Sequence, residues 1–244
     1  MAEIIKKVLV TENGEFFYLK ELKDFHTQYG YVGSADLKSR KDCVITNKGK
    51  KLFMFEPSAA DLLRKIKRHA QIITPKDIGA IIANTGMNKS SSVIELGSGS
   101  GALTCMLGLV AKKVVSYDID ERSIKTTQEN IKMIGLKNVS VKNKDAYGKL
   151  DERDADILTL DLPEPWKALE NANKALKQGG FLVSYSPQIT QALEFSNEAR
   201  QKGFIVLKTI ELIEREWQLE GKKARPDFRG LGHTGFLTFA RKIG

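Results

Sequence analysis

The chain is short of several things, and each shortage excludes a class of protein. Its 244 residues hold two cysteines, Cys43 and Cys105, far apart in sequence. Two distant thiols cannot build a zinc ligand set or a disulfide framework. They predict two reduced cysteines in a cytoplasmic protein. The three histidines, His26, His69 and His233, leave few imidazole groups for acid–base work. No apolar run approaches the ~18 residues of a membrane span, so no membrane partner is expected. The segment Met1-Ala2-Glu3-Ile4-Ile5-Lys6-Lys7 carries an early acid and no long apolar region, which predicts no signal peptide. Acids are in deficit as well: 30 Asp and Glu face 39 Lys and Arg, a net charge of +9.

What is present fits a globular protein. The length suits one large domain, or one of ordinary size plus a small one, and a hydrophobic fraction of 41% can fill a core. The excess cations gather in four clusters: Lys38, Arg40 and Lys41; Lys48, Lys50 and Lys51; Arg64, Lys65, Lys67 and Arg68; and Lys222, Lys223, Arg225 and Arg229. Any one cluster reads as a solvated face. Four together, with a matching net charge, point to a polyanionic partner such as nucleic acid.

Two regions differ in pattern. Up to residue 56, short β-type runs (Val8–Val10, Phe16–Leu19, Val44–Thr46, Leu52–Phe55) alternate with turn signals at Asn13-Gly14 and Asn47-Lys48-Gly49, and Gly30-Tyr31-Val32-Gly33 reads as a loop. This predicts a small all-β domain. A basic linker helix is expected to begin at Pro57-Ser58 and run to about Ala70, within a linker spanning 57–74. Thr74-Pro75-Lys76-Asp77 then signals a helix start, with Thr74 as N-cap, Pro75 in the first turn and Asp77 complementing the dipole. From there to 244 the chain alternates strand and helix. Strands are expected at 93–96, 114–118, 139–142, 156–160 and 181–186, and helices at 102–110, 121–134, 165–177 and 189–202. Such alternation specifies an α/β fold with a mostly parallel sheet. Two late apolar runs, Phe204–Ile213 and Gly235–Ala240, suit an antiparallel pair at one edge.

The chemistry concentrates on one edge of that sheet. Val93-Ile94-Glu95-Leu96 leads into Gly97-Ser98-Gly99-Ser100-Gly101-Ala102, a strand, a glycine turn and a helix start. This pattern brings main-chain N–H groups against a nucleoside cofactor. Because Gly97-x-Gly99-x-x-Ala102 also satisfies the dinucleotide fingerprint, the loop alone does not separate NAD from S-adenosylmethionine. Asp118 closes the next strand, where an acid can accept hydrogen bonds from ribose hydroxyls, while Asp120 is placed to cap the following helix. Asp145 follows the third strand and can meet an exocyclic amine. The fourth strand ends in Asp161-Leu162-Pro163-Glu164-Pro165-Trp166, where two prolines stiffen a loop that carries carboxylates beside an aromatic ring.

Together these residues resemble the class I S-adenosylmethionine-dependent methyltransferases, with their Rossmann-like domain. More narrowly the chain resembles the tRNA (adenine-N1)-methyltransferases that modify T-loop position 58. The resemblance is carried by Arg68-His69-Ala70-Gln71-Ile72-Ile73-Thr74-Pro75-Lys76-Asp77, by the glycine loop, by Asp161–Trp166, and by Arg225-Pro226-Asp227-Phe228-Arg229 with His233-Thr234-Gly235. It implies S-adenosyl-L-methionine as cofactor, tRNA as substrate and 1-methyladenosine at position 58, with 57 as a further target. It also implies a homotetramer of the archaeal and bacterial type. The cofactor would meet Gln71, Ile73, Glu95, Gly97, Ser98, Gly99, Ser100, Gly101, Leu103, Asp118, Asp145, Ala146 and Asp161, and Asp161 would be the catalytic group at the target base. Thr74, Trp166, Tyr185, Arg225 and His233 would face the substrate. No metal is implied, because the cofactor carries the reactive group. One departure stands out: the resemblance implies a position where relatives commonly carry Tyr, here occupied by Thr74, which cannot stack on a base.

Three alternatives stay open at the level of sequence. They are a NAD-dependent oxidoreductase using the same loop, a non-catalytic RNA-binding subunit, and a methyltransferase for another RNA or a non-RNA substrate. A hydride-transfer constellation is not evident in the C-terminal half. Retention of the glycine loop, Asp118 and Asp161 argues against a degenerate subunit.

Overall fold

In the N-terminal part, period-two alternation sorts side chains between two faces. The elements are β1 (Lys7–Thr11), β2 (Phe16–Leu19), β3 (Phe25–Thr27), β4 (Gly30–Val32), α1 (Ser34–Leu37), β5 (Cys43–Ile45), β6 (Lys51–Phe55) and α2 (Ala59–Arg64). Four strands form an antiparallel sheet in the order β2-β1-β6-β5. Its inner face brings Leu9, Leu19, Val44, Leu52 and Met54 into one buried cluster with Val32 and Leu37. The segment expected as a loop at Gly30-Tyr31-Val32-Gly33 is instead strand β4, paired with β3. Gly30 makes this possible: its φ is +104° and a Cβ there would stand 2.3 Å from Asn47 Oδ1. Strands of three residues are too short to show alternation, which is why sequence missed them.

The computed structural model describes residues 4–68 and 71–244. Met1, Ala2, Glu3, His69 and Ala70, used above, lie outside the described residues. The chain divides into two compact units, Met1–Ile66 with Lys132–Gly135, and Lys67–Ile131 with Leu136–Gly244. The linker helix is shorter than expected. Helix α2 starts at a capping box, where Ser58 N–H donates to Asp61 Oδ2 at 2.9 Å, but it stops at Arg64 and not near Ala70. In the second unit, the main-chain N–H of Lys67 donates to Asn130 Oδ1 (2.9 Å), and the Lys67 carbonyl accepts from Asn130 Nδ2 (3.0 Å). A side-chain amide thus satisfies the peptide groups that a continuing helix would use.

The second unit contains α3 (Pro75–Thr85), β7 (Ser92–Leu96), α4 (Ala102–Val110), β8 (Lys113–Asp118), α5 (Glu121–Ile134), β9 (Val139–Asn143), β10 (Ala155–Leu160), α6 (Leu169–Ala175), β11 (Leu176–Ser186), α7 (Ile189–Gln201), β12 (Phe204–Glu211), β13 (Trp217–Glu220), β14 (Lys223–Pro226) and β15 (Phe236–Lys242). Seven strands form one sheet, ordered β12-β15-β11-β10-β7-β8-β9. All neighbours are parallel except β15, which runs antiparallel to both β11 and β12. Strand order reverses between β7 and β10, the point where open α/β sheets leave a crevice beyond their carboxyl ends. Two apolar clusters fill the sheet faces, one around Leu158, Phe195 and Phe204, the other around Ile78, Leu107 and Phe239.

Two expectations change here. The helix expected at 165–177 is a 3-10 turn over Pro165–Ala168 followed by α6, and β11 begins at Leu176. The register steps from Ala155↔Leu176 to Ile157↔Phe181, so the Gly179-Gly180 pair forms a bulge inside the strand. The connection expected between the last two apolar runs contains the hairpin β13–β14, turned at Gly221 with φ +56°.

Candidate active site

The crevice at the strand reversal is a cavity of about 550 Å³. Of the residues expected at the cofactor, Gln71, Gly97, Gly99, Asp118, Asp145, Ala146 and Asp161 line it. Strand β7 delivers the glycine loop, β8 delivers Asp118, β9 leads to Asp145, and β10 delivers Asp161. Gly97 (φ +92°) lies so close to the end of β10 that a Cβ would stand 2.2 Å from the Asp161 carbonyl. Gly99 (φ +51°) faces open space where a Cβ would stand, which lets a ligand approach the loop closely. These features fit a nucleoside cofactor: bare backbone on one side, carboxylates at the ends of successive strands, and a volume suited to a small ligand.

Asp118 is the organised acid. Its Oδ2 accepts from Ser98 N–H, Ser98 Oγ–H and Gly99 N–H, each at 3.0 Å, and Oδ1 accepts from Asp120 N–H at 2.9 Å. It therefore holds the glycine loop in shape, and Oδ1 keeps capacity for a ligand hydroxyl. Asp120 caps α5 as expected, with Ser123 N–H donating to its Oδ2 at 2.9 Å. Asp145 Oδ1 accepts Tyr147 N–H at 2.9 Å.

Asp161 is the contrasting acid. It is half-buried, and no hydrogen bond reaches its carboxylate among the described residues. Burial first, then the nearby Asp118 charge, push its carboxyl up to about 6. The loop behind it is tied down: Gln191 Nε2 donates to the Pro163 carbonyl (3.0 Å), and Glu164 N–H donates to Tyr147 Oη (3.3 Å). The Glu164 carboxylate is itself taken by Lys167.

Other expected cofactor residues lie outside the cavity wall. Ile73 and Leu103 are buried in a hydrophobic cluster. Ser98 is committed to Asp118 through its hydroxyl, and the Ser100 carbonyl accepts from Asn130. Gly101 (φ +78°) is the N-cap of α4, held against Thr127. Glu95 is completely buried: Thr104 Oγ donates to Oε2 at 2.5 Å, Oε1 has no partner, and burial pushes the carboxyl up to about 8.

The expected substrate residues divide between two places. Tyr185 is buried, donates to the Thr234 carbonyl, and lies so close to Gly235 that a Cβ there would stand 2.5 Å from its ring. Burial, then Asp77 and Asp161, push the phenol up to about 12. His233 bonds Glu211 Oε1 (2.5 Å), which raises the imidazole, and its Nε2 meets the carbonyl of Pro187, a residue of the cofactor cavity wall. Thr74 lines a neighbouring cavity of about 420 Å³ with Lys76, Arg229 and Thr234. It is the N-cap of α3 by position, but its hydroxyl donates to Asp77 Oδ2 (2.8 Å) and accepts no backbone N–H. Trp166 packs on the core, and Arg225 is exposed on β14.

Sequence reasoning missed the apolar part of the cavity, formed by Tyr117, Ile119, Tyr147, Leu162 and Pro187. Ile119 carried a signal, as an apolar residue between two acids in Asp118-Ile119-Asp120, and it is 68% exposed. Also missed was a buried polar knot in which Asp77 accepts from Lys76, Thr74 and Thr234, fastening the start of α3 to the His233–Gly235 segment. Among the described residues no cluster could hold a metal, and no helix is long and apolar enough to cross a membrane.

Residues 57–226, which contain the glycine loop and all three cavity aspartates, match the tRNA methyltransferase complex GCD14 subunit family. The chain belongs to that family. This GCD14-family chain is 37% identical to the tRNA (adenine(57)-N(1)/adenine(58)-N(1))-methyltransferase TrmI of Methanocaldococcus jannaschii, with 96% of this chain and 94% of that one covered. Among solved structures it is similar to the tRNA (m1A58) methyltransferase TrmI of Aquifex aeolicus, with TM-score 0.84, 26% identity, and 100% and 99% of the two chains covered. It is also similar to a SAM-dependent O-methyltransferase of Thermotoga maritima, with TM-score 0.89, 28% identity, and 100% and 95% covered. Family and fold together make the GCD14-family chain a class I methyltransferase that uses S-adenosylmethionine, and the oxidoreductase alternative is not favoured.

Proposed function

We propose that this chain methylates N1 of adenosine in the T-loop of tRNA, at position 58 or at 57 and 58. The observation that carries the reading is Asp161, a carboxylate without a partner among the described residues at the strand reversal, directly beside the glycine loop. Bound S-adenosylmethionine supplies an electrophilic methyl group. The side-chain-free Gly99 would leave room for the cofactor, Asp118 Oδ1 would take a ribose hydroxyl and Asp145 the adenine amine, with Ile119 and Ala146 lining the same cavity. Gln71 lines it as well.

Asp161 accepts a hydrogen bond from the exocyclic amine of the target adenine. Attack through N1 would form the N1–methyl bond as the methyl–sulfur bond breaks and the sulfur leaves as a neutral thioether; the base becomes cationic, and the carboxylate would stabilise that charge and be placed to accept the amine proton. An acid with its carboxyl near 6 is ionised at pH 7 yet still a competent proton acceptor. Tyr185, His233 and Thr74 border the base, with Arg225 among the cations that meet phosphate. N1 lies on the Watson–Crick edge, so the target must be splayed from its stack. The same reading includes a homotetramer working in the cytoplasm, as the resemblance implies; light scattering checks the assembly.

The test is nucleoside mass analysis after incubating the protein with S-adenosylmethionine and an unmodified tRNA transcript. Expected is 1-methyladenosine, absent with Asp161→Ala. A 2′-O-methylated nucleoside in its place would favour the chemistry named for the Thermotoga neighbour. No methylated nucleoside, with cofactor binding intact, would overturn tRNA as substrate.

A further inference from the structure

We propose that the outer face of the N-terminal sheet is a stacking platform for unpaired nucleotides of the RNA, a surface separate from the methyl-transfer cavity; the inference rests on the tRNA reading above. Register defines the face. Tyr18, Val8 and Phe55 stand opposite one another in one cross-strand row, and Phe16, Val10, Phe53 and Cys43 in the next. Directly opposed residues of antiparallel strands point the same way. The other face, bearing Leu9, Leu19, Leu52 and Met54, is the core. Four aromatic rings therefore lie on the side opposite that cluster; Val8 between Tyr18 and Phe55 is fully buried, so the open part of the face is formed by Phe16, Phe53 and Phe55. Phe16, Phe53 and Phe55 remain 39%, 39% and 41% exposed, and Ile45 beside them is 64% exposed. A solvated antiparallel sheet places polar residues there.

Cations accompany the rings. Lys65 Nζ lies 4.5 Å from the Tyr18 ring centre, Lys51 Nζ 4.8 Å from that of Phe53, and the Arg64 guanidinium 5.6 Å from that of Phe16. None of the three has a carboxylate partner among the described residues. The acids close by in sequence are already engaged: Glu56 pairs with Lys7, and Asp61 caps α2. Each of the three cations lies over a ring face, so a base stacks on these rings as the cation swings from the ring to a phosphate, and rings with mobile cations over them are a combination that holds single-stranded nucleic acid. Charge decides between occupants. A second copy docking the same face would set these cations against their own counterparts, whereas a polyanion is attracted by them and by the net charge of +9. Bases must be unpaired to present a ring face, so the fit is to loop or end nucleotides and not to a duplex.

The test uses the whole protein and an unmodified tRNA transcript. Phe16→Leu and Phe53→Leu keep an apolar side chain and remove the ring; Phe53→Tyr keeps the ring. Measured are tRNA affinity, KM and kcat for methyl transfer, S-adenosylmethionine affinity and mass in solution. Each Leu variant should bind tRNA about fivefold or more weakly. KM for tRNA should rise in step, with kcat at saturating tRNA, cofactor affinity and mass unchanged. Phe53→Tyr should match the native protein. Lys51→Ala should lower the slope of log affinity against log salt by about one. Leu variants that bind tRNA like the native protein overturn the proposal. So does a loss of tRNA affinity that comes with weaker cofactor binding or a changed mass, which would make the face a fold support or an interface between copies. A native protein that methylates no tRNA would instead strike at the tRNA reading itself.

Discussion

The ends of β8 and β10 each present an aspartate to one cavity, and the structure treats the two in opposite ways. Asp118 accepts four hydrogen bonds from the glycine loop and the start of α5. Asp161 accepts none among the described residues and is held partly toward its neutral form. A carboxylate that only positions a ligand can be satisfied in advance, because its partners need not change during reaction. A carboxylate that answers a charge appearing on the substrate stabilises the transition state most when little else neutralises it beforehand. On the function proposed above, the site divides into a preorganised cofactor side and an under-satisfied reaction side, and each half can be broken separately.

Removing the reaction side should have the largest effect. Asp161→Ala is expected to lower kcat by about 10²–10⁴, with S-adenosylmethionine affinity within a few-fold of native, measured by calorimetry and single-turnover methylation. Equal losses in both would erase the distinction between the two acids. In the native protein, kcat/KM should climb as pH rises through about 6, where Asp161 ionises. Stability should move the other way. The folded value lies above the ordinary 3.8, so the native protein loses stability as pH rises from there to about 6. Asp161→Asn should therefore melt higher than native at pH 7 and lose that advantage below pH ~4. A stabilised but inactive variant is the signature of a strained functional group.

Breaking the cofactor side should cost affinity. Asp118→Ala removes an anchor for the loop and for a ribose hydroxyl; a charged hydrogen bond contributes ~1.5–3 kcal/mol, so affinity for S-adenosylmethionine should fall about ten- to hundredfold. At saturating cofactor, kcat should stay within a few-fold of native. A kcat loss as large as that of Asp161→Ala would show that the loop and the reacting group are one unit.

Much of this division was legible in sequence because it depends on chain order. The glycine loop, Asp118, Asp145 and Asp161 follow successive parallel strands, and an alternating pattern brings such positions to one edge. Helices α4 and α5 keep the expected boundaries, 102–110 and 121–134, because Gly101 and Asp120 supply local start signals. What was not legible depends on contacts between distant segments. The linker helix ends early where the side chain of Asn130 takes the peptide groups of Lys67. Thr74 was expected to cap its own helix, but Asp77 takes its hydroxyl and ties in Thr234 as well. Ile73 and Leu103 sit in motifs that suggest ligand contact, but which way a side chain points is decided by packing, and both point into the core.

The smallest expected effect concerns the acid between the two. Glu95 stands on β7, its Oε2 accepting from Thr104, its Oε1 unpaired, and its carboxyl pushed by burial to about 8. Across the sheet it is flanked by Ser116 and Thr159, whose hydroxyl oxygens are also buried without partners. Neutral at pH 7, it adds no charge to the cavity, so the contrast between Asp118 and Asp161 is not blurred by a third anion. Glu95→Gln should test this. The amide oxygen can still accept from Thr104, and its N–H groups can reach the two orphaned hydroxyls. Because the folded carboxyl titrates above its ordinary 4.5, native stability falls as pH rises from about 4.5 to about 8. The variant lacks that titration. Its melting temperature should exceed the native value by a margin that grows from pH 5 to pH 8 by several degrees, at ~2–4 °C per kcal/mol for a chain of this size, with cofactor affinity within a few-fold. A margin that stays flat with pH would mean Glu95 is ionised in the fold, and the negative field on Asp161 would then come from two neighbours and not one.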